Sequence, residues 1–140
     1  MIILDTNVIS EGMRPRSDAG VRSWIDAQQP ENLFLCTPVL AELYYGIERL
    51  PVGARRSHLE HVILRMEETF ADRILVLDRA AALHYGKLIG QRDRIGRATG
   101  ATDGLIAAIA RANRATLATR DVRGFDDLGI ELVNPFEFNA

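Results

Sequence analysis

Four carboxylates occupy positions from which they could do chemistry together. Asp5 follows the aliphatic run Ile2–Leu4 in MIILDTNVIS, and Asp121 follows TLAT in TLATRDVRGF. Glu42 lies in TPVLAELYYGIERL beside Val39, Leu40, Leu43 and Ile47, and Asp103 stands near the start of ATDGLIAAIARA. Each has a plain structural explanation. An acid after a strand can be a turn residue or a helix cap, and an acid in a helix's first turn complements its positive end. A glutamate at the edge of an apolar face can simply be solvated. The chemical explanation requires that the fold bring all four to one place. Carboxylates that close repel and raise one another's pKa, a cost that a divalent cation removes. Carboxylates and water without His or Cys select Mg2+ or Mn2+. Such a site serves phosphoryl transfer or phosphodiester hydrolysis by a water that the metal activates.

The elements that must position these acids follow from patterning. Four short aliphatic runs read as buried strands: Ile2–Leu4, Leu33–Cys36, Ile74–Leu77 and Thr116–Ala118, with a weaker fifth at Glu131–Val133. Helical patterns lie between them. Thr37-Pro38 reads as a cap and first helical residue for a helix ending before Pro51. Arg55–Phe70 is helical, Asp78 caps a helix through about Arg92, and Thr102 caps another through about Asn113. Asn7 reads as a helix cap. Strands alternating with helices predict an α/β fold with a mainly parallel sheet. In such a sheet the strand C-termini and the following helix N-termini share one edge, where ligands bind. Asp5, Glu42, Asp103 and Asp121 can therefore converge on one cleft.

Composition narrows the classes. The 140 residues suit a single domain with one substantial core, and 47% hydrophobic with 26% charged residues is a globular balance. A formal net charge of −2 gives no global attraction to nucleic acid or an anionic membrane, so any such binding needs a local basic patch. Lys87 is the lone lysine among 17 basic residues. Arginine suits bidentate phosphate contacts, although a biased genome also produces this excess. The single cysteine, Cys36, excludes an internal disulfide and reads as core. His58 and His61 read as surface residues, since no third ligand accompanies them. No stretch approaches the roughly 18 apolar residues of a membrane span, and the N-terminus lacks signal-peptide features. The expected location is the cytoplasm. Phosphate-binding loops of the GxxxxGK[ST] and GxGxxG kinds are absent. Aspartyl-phosphate chemistry usually pairs aspartates one residue apart, and here Asn7 takes the second place. Hydrolysis by a metal-activated water fits better.

These segments resemble a known family. Over nearly its whole length the chain is similar to PIN-domain ribonucleases, specifically the VapC/FitB-like toxins of bacterial toxin–antitoxin pairs. MIILDTNVIS resembles the family's opening, with Asp5 as first acid and Thr6 as supporting hydroxyl. TPVLAELYYGIERL matches the second motif through Glu42, and ATDGLIAAIARA the third through Asp103. ATRDVRGFDDLGIELVNP resembles the last, with Thr119, Asp121 and Phe125 in order. Each motif alone is weak, and four in sequence at these spacings are specific. The resemblance implies one domain over residues 1–140 with a three-layer α/β/α fold. It implies Mg2+- or Mn2+-dependent endoribonuclease activity on single-stranded RNA, with Asp5, Glu42, Asp103 and Asp121 as metal ligands and catalytic residues beside Thr6 and Thr119. Asp121 is the most variable of these acids in such families. A homodimer is implied, with a VapB/FitA-like antitoxin whose C-terminal segment blocks the cleft and whose other end binds operator DNA.

An acidic centre repels phosphate, so RNA must be held elsewhere. Arg14, Arg16, Arg94 and Arg97 lie in the two loosest stretches, Met13–Gly20 and Asp93–Gly100, and are the expected RNA contacts. Two rivals stand beside the nuclease: a regulatory protein working mainly in a DNA-bound complex with its antitoxin, and a metallophosphatase acting on small molecules.

Overall fold

In the computed structural model, which describes residues 1–139, five short strands build one parallel sheet. They are β1 (Ile2–Leu4), β2 (Leu33–Cys36), β3 (Ile74–Leu75), β4 (Thr116–Ala118) and β5 (Leu132–Val133), in the spatial order β3-β2-β1-β4-β5. All four pairings are parallel, with Ile3 opposite Phe34 on one side and Leu117 on the other. Strands covered on both faces need apolar residues throughout, and Ile3, Leu35 and Leu117 are fully buried. Helices flank the sheet: α1 (Thr6–Gly12), α2 (Ala19–Asp26), α3 (Thr37–Glu48), α4 (Ala54–Thr69), α5 (Arg79–Arg94), α6 (Ala101–Asn113) and α7 (Val122–Phe125). This is the α/β fold with a parallel sheet that the patterning predicts, in the three-layer form that the family resemblance implies.

The order of strands matters for function. From β1 the chain builds outward through β2 to β3, then returns past β1 to add β4 and β5. The reversal falls between β1 and β4, and the crevice outside the C-termini of such neighbours is where open α/β sheets bind ligands. Asp5 and Asp121 lie just beyond those two strands.

Some boundaries differ from the sequence reading, each for a physical reason. β3 stops at Leu75 rather than Leu77. It is an edge strand paired only with β2, which ends at Cys36 opposite Leu75, so Val76 and Leu77 have no ladder to join and are exposed. Thr37 is the first residue of α3 rather than its cap. Cys36 holds the cap position without a side-chain bond, and Pro38 sits in the first turn, where a missing N–H costs nothing. Thr102 likewise lies inside the first turn of α6, whose cap is Gly100. The stretch Met13–Gly20 is shorter as a loop than its composition implies, because the Asp18 side chain caps α2 by accepting from the Val21 N–H. The histidines at 58 and 61 are exposed, and Cys36 is fully buried. Among the described residues no helix is long and apolar enough to cross a membrane.

Candidate active site

Asp5 is held as few surface acids are. It ends β1, its own N–H donates to the Ala118 carbonyl of β4 (2.9 Å), and it is only 4% exposed. One carboxylate oxygen, Oδ1, accepts from the Thr6 N–H at 2.8 Å. The other, Oδ2, accepts from Thr119 Oγ1 at 2.7 Å and from Asn7 Nδ2 at 3.1 Å. Burial pushes its pKa above the usual aspartate value; the bonds from Thr119 and the Thr6 N–H oppose that rise, and the charge of Glu42 adds to it. A carboxylate offers about four lone-pair directions. Three are taken, which fixes the group while leaving a site on Oδ1.

Thr119 is the hub of this side. It is fully buried at the end of β4, and its hydroxyl gives its proton to Asp5 while accepting from the Asp121 N–H at 3.0 Å. Asn7 is not a helix cap. Its amide nitrogen donates to Asp5 and, at 3.4 Å, to Thr119, and its oxygen accepts from the Arg120 N–H at 3.0 Å. Asn7 therefore ties the start of α1 to the segment after β4, a role that no local pattern reveals because Thr119 and Arg120 lie more than a hundred positions away.

Glu42 resolves the choice posed by its helix. The face of α3 formed by Val39, Leu40, Leu43 and Ile47 is buried. Glu42 is half-buried beside it, and its Oε1 accepts from Thr6 Oγ1 at 2.7 Å. The Thr6 backbone thus serves one acid and its hydroxyl another. Asp103, in the first turn of α6, is also half-buried. Burial raises its pKa first, repulsion from Asp5, Glu42 and Asp121 raises it further, and Arg92 pulls it back. Asp103 thus lies within electrostatic reach of the other three acids, which Thr6 and Thr119 tie together by hydrogen bonds. Asp121 is the most exposed of them. Its Oδ1 accepts from the Gly124 N–H at 3.0 Å, capping α7. A Cβ at Gly124 would collide with that carboxylate.

The arginines divide into two groups. Arg16 and Arg94 are exposed and, among the described residues, carry no ion pair, while Arg14 pairs loosely with Glu11 at 3.3 Å. Arg97 departs from the expectation of a free phosphate contact: its guanidinium is committed to Asp126 (2.5 Å) and Asp127 (3.0 Å). Arg120, between Thr119 and Asp121, lies with its guanidinium 4.7 Å from the Phe136 ring centre and has no carboxylate partner among the described residues. A cation stacked on an aromatic face keeps its charge available to phosphate.

The donor set is all oxygen and anionic, which suits a hard divalent cation. Among the described residues no three His, Cys, Asp or Glu side chains stand close enough to share one ion directly. The fit is therefore to an ion of the Mg2+ kind, which needs one or two direct carboxylates and keeps several waters. Next to Thr6 and Glu42 a groove of about 330 Å3 runs along Met13, Leu43, Ile47, Leu59 and Ile63. A roomier cavity of about 570 Å3, lined by His84, Arg111, Arg114 and Glu131, contains none of the four acids.

Residues 2–131 match the family described as PIN domain. The chain is 45% identical to the plasmid stability protein StbB of Pseudomonas syringae pv. tomato, over 98% of this chain and 99% of the relative. It is 40% identical to the VapC ribonuclease Y4jK of Sinorhizobium fredii with the same coverages, and 36% identical to toxin FitB of Neisseria gonorrhoeae over 97% and 99%. Among solved structures it resembles FitAcB from Neisseria gonorrhoeae, with a TM-score of 0.89, 34% identity and coverage of 99% of this chain and 100% of that one. It also resembles FitAB bound to an IR36 DNA fragment, with a TM-score of 0.88, 34% identity and coverage of 100% and 99%.

Proposed function

The chain belongs to the PIN-domain family, and on that premise we propose that it is the toxin of a type II toxin–antitoxin pair, a divalent-metal-dependent endoribonuclease that hydrolyses single-stranded RNA. Its similarity to a VapC ribonuclease and to toxin FitB supports the activity, and its likeness to the FitAcB and FitAB structures supports a protein partner of the VapB/FitA kind. The single observation that carries the reading is the gathering of acids around two threonines: Thr6 donates its N–H to Asp5 and its hydroxyl to Glu42, while the Thr119 hydroxyl donates to Asp5 and accepts from the Asp121 N–H.

Asp5, Glu42, Asp103 and Asp121 would hold the cation, Mg2+ or Mn2+, one or two of them directly and the rest through its waters. When bound, it would supply charge neutralisation at the phosphate and acidify a water for attack. The chain's own groups do the rest. Thr119, Asn7 and the Thr6 N–H favour the ionised form of Asp5 against the effect of burial and hold it in one orientation. Thr6 holds Glu42 by one oxygen, leaving Oε2 to accept a proton from a water. Thr119 also restrains Asp121 through its N–H. Arg14, Arg16 and Arg94, joined by Arg120, would bind the RNA backbone beyond the acids. One domain over residues 1–140 carries all of this, and it works in the cytoplasm as a homodimer. A basic side chain of the antitoxin inserted among the acids would inhibit it, and operator DNA would be reached only through the antitoxin.

The FitAB–DNA likeness favours a second reading, a regulatory protein acting mainly in a DNA-bound complex. Induced expression without the antitoxin separates the two. The nuclease reading expects growth arrest and new RNA 5′ ends, both abolished by Asp5→Asn. Arrest that persists in Asp5→Asn, or no arrest at all, supports the regulatory reading instead.

A further inference from the structure

Arg92 sits in the last turn of α5, and at 3% exposure it is the most buried charged residue among those described. A guanidinium taken out of water is costly unless its donors are satisfied, and well-packed apolar residues often serve stability as well or better. Here the donors are directed at two separate loops. Nη1 donates to Thr99 Oγ1 at 3.2 Å. Nη2 donates to the Asp126 carbonyl at 2.6 Å, and Nε to Asp127 Oδ1 at 3.1 Å. Arg97 reinforces the second loop through Nη1 on Asp127 Oδ2 at 3.0 Å and through the Arg123 carbonyl. Its own N–H donates to the Arg92 carbonyl at 2.9 Å.

The two loops are those that carry acids. Thr99 lies just before α6, whose first turn holds Asp103, and Asp126 directly follows α7, which Asp121 caps. Neither acid directly ends a strand as Asp5 ends β1. Asp127 has φ 59°, in the left-handed region that aspartate enters more readily than most non-glycine residues. Its carboxylate is gripped by both arginines.

We propose that Arg92, seconded by Arg97, is a positioning residue that locks the loop before Asp103 to the loop after Asp121 and so sets the separation of these two carboxylates for the cation. This rests on the metal-dependent nuclease reading. The argument is geometric: one planar fork spans both segments, which nothing local in the sequence would hold in register. Lysine keeps the charge but not the three directed bonds.

The test uses the full chain, with Mn2+ as probe. Mn2+ affinity is measured by calorimetry and RNA cleavage is split into kcat and KM, for wild type, Arg92→Gln, Arg92→Lys, Arg97→Ala and Asp127→Asn. Loss of a group bonded directly to a metal ligand costs about 10–100-fold in affinity or activity. Arg92 acts one step further out, through the two loops, which puts its effect at the low end of that range. Arg92→Gln is expected to fall in that range, in Mn2+ affinity and in kcat, with KM for RNA changed less than about twofold. Arg92→Lys is expected to rescue neither. Arg97→Ala and Asp127→Asn, which alter more exposed residues, are expected to give smaller losses of the same kind and decide the matter if the Arg92 variants do not fold. Arg97→Ala and Asp127→Asn that bind Mn2+ and turn over like wild type, or a fully active Arg92→Lys, overturn the clamp. Wild-type protein that neither binds Mn2+ nor cuts RNA overturns the nuclease reading itself, and the positioning role with it.

Discussion

Asp5 and Asp121 each follow a central strand, yet the fold treats them differently. Asp5 is buried, anchored by its own backbone to β4 and grasped through both oxygens. Asp121 is exposed, and its carboxylate bonds locally to the Gly124 N–H. Asp103 stands on the same looser side, at a helix start reached by a loop. One half of the site is thus positioned by the sheet and its hydroxyls, the other by helix starts and a pair of arginines. The buried half gains rigidity at the cost of desolvation, which raises the Asp5 pKa. The open half keeps access to solvent and substrate, and Asp103 feels its neighbours' charges as well as burial.

The sharpest way to break this contrast is Asp103→Asn, which keeps the volume and removes one charge and one good ligand. Cleavage is expected to fall at least about a hundredfold, since nucleophile activation and charge stabilisation fail together. Without metal, the variant is expected to melt at or above the wild-type temperature. The sign follows from the raised pKa: ionising Asp103 costs the folded state, so stability is full below the ordinary carboxylate value and is lost as pH rises through the higher folded value. The gap between variant and wild type therefore widens with rising pH and closes in acid. Saturating Mg2+ stabilises a folded binder by about 2.7 kcal/mol at a hundred times Kd, and the variant should show much less of that shift. A variant that melts lower, responds normally to Mg2+ and still cuts RNA would reduce Asp103 to a helix-start acid.

The buried half is probed by Thr119→Val, nearly the same shape without the hydroxyl. It strips Asp5 of one donor and leaves the Asp121 N–H without its acceptor. Leaving such groups unpaired costs about 1–3 kcal/mol, readable by denaturant unfolding. Because Thr119 favours the ionised form of Asp5, the loss should be greatest at neutral pH and shrink as Asp5 protonates. An unfolding free energy unchanged at neutral pH would mean that Thr119 is only packing.

The smallest expected effect concerns the rim. For single-stranded RNA, log affinity should fall with log salt at a slope of about −0.7 per phosphate contact. Alanine at Arg16, Arg94 or Arg120 should flatten it by about one contact each, whereas Arg97→Ala should leave it unchanged because that guanidinium is already paired. Unchanged slopes in the first three would move the RNA path away from these arginines.

Much of this candidate site is legible in the sequence because strand ends and helix starts of a parallel sheet share one edge. Aliphatic runs ending on Asp5 and shortly before Asp121, and apolar helices carrying Glu42 in the second turn and Asp103 in the first, put the four acids near that edge. The parallel sheet and the burial of Cys36 follow from the same periodicity. What patterning could not supply are contacts between residues distant in the chain. Nothing near Asn7 announces a bond to Thr119, nothing near Arg92 announces Asp127, and the free look of Arg97 depended on not knowing where Asp126 would lie. Strand and helix identity arise from local spacing and burial, so they are written in the sequence itself. The pairing of a polar side chain, and therefore whether an arginine meets solvent or braces a loop, depends on which segments the tertiary fold brings within three ångström or so of it, the reach of a hydrogen bond.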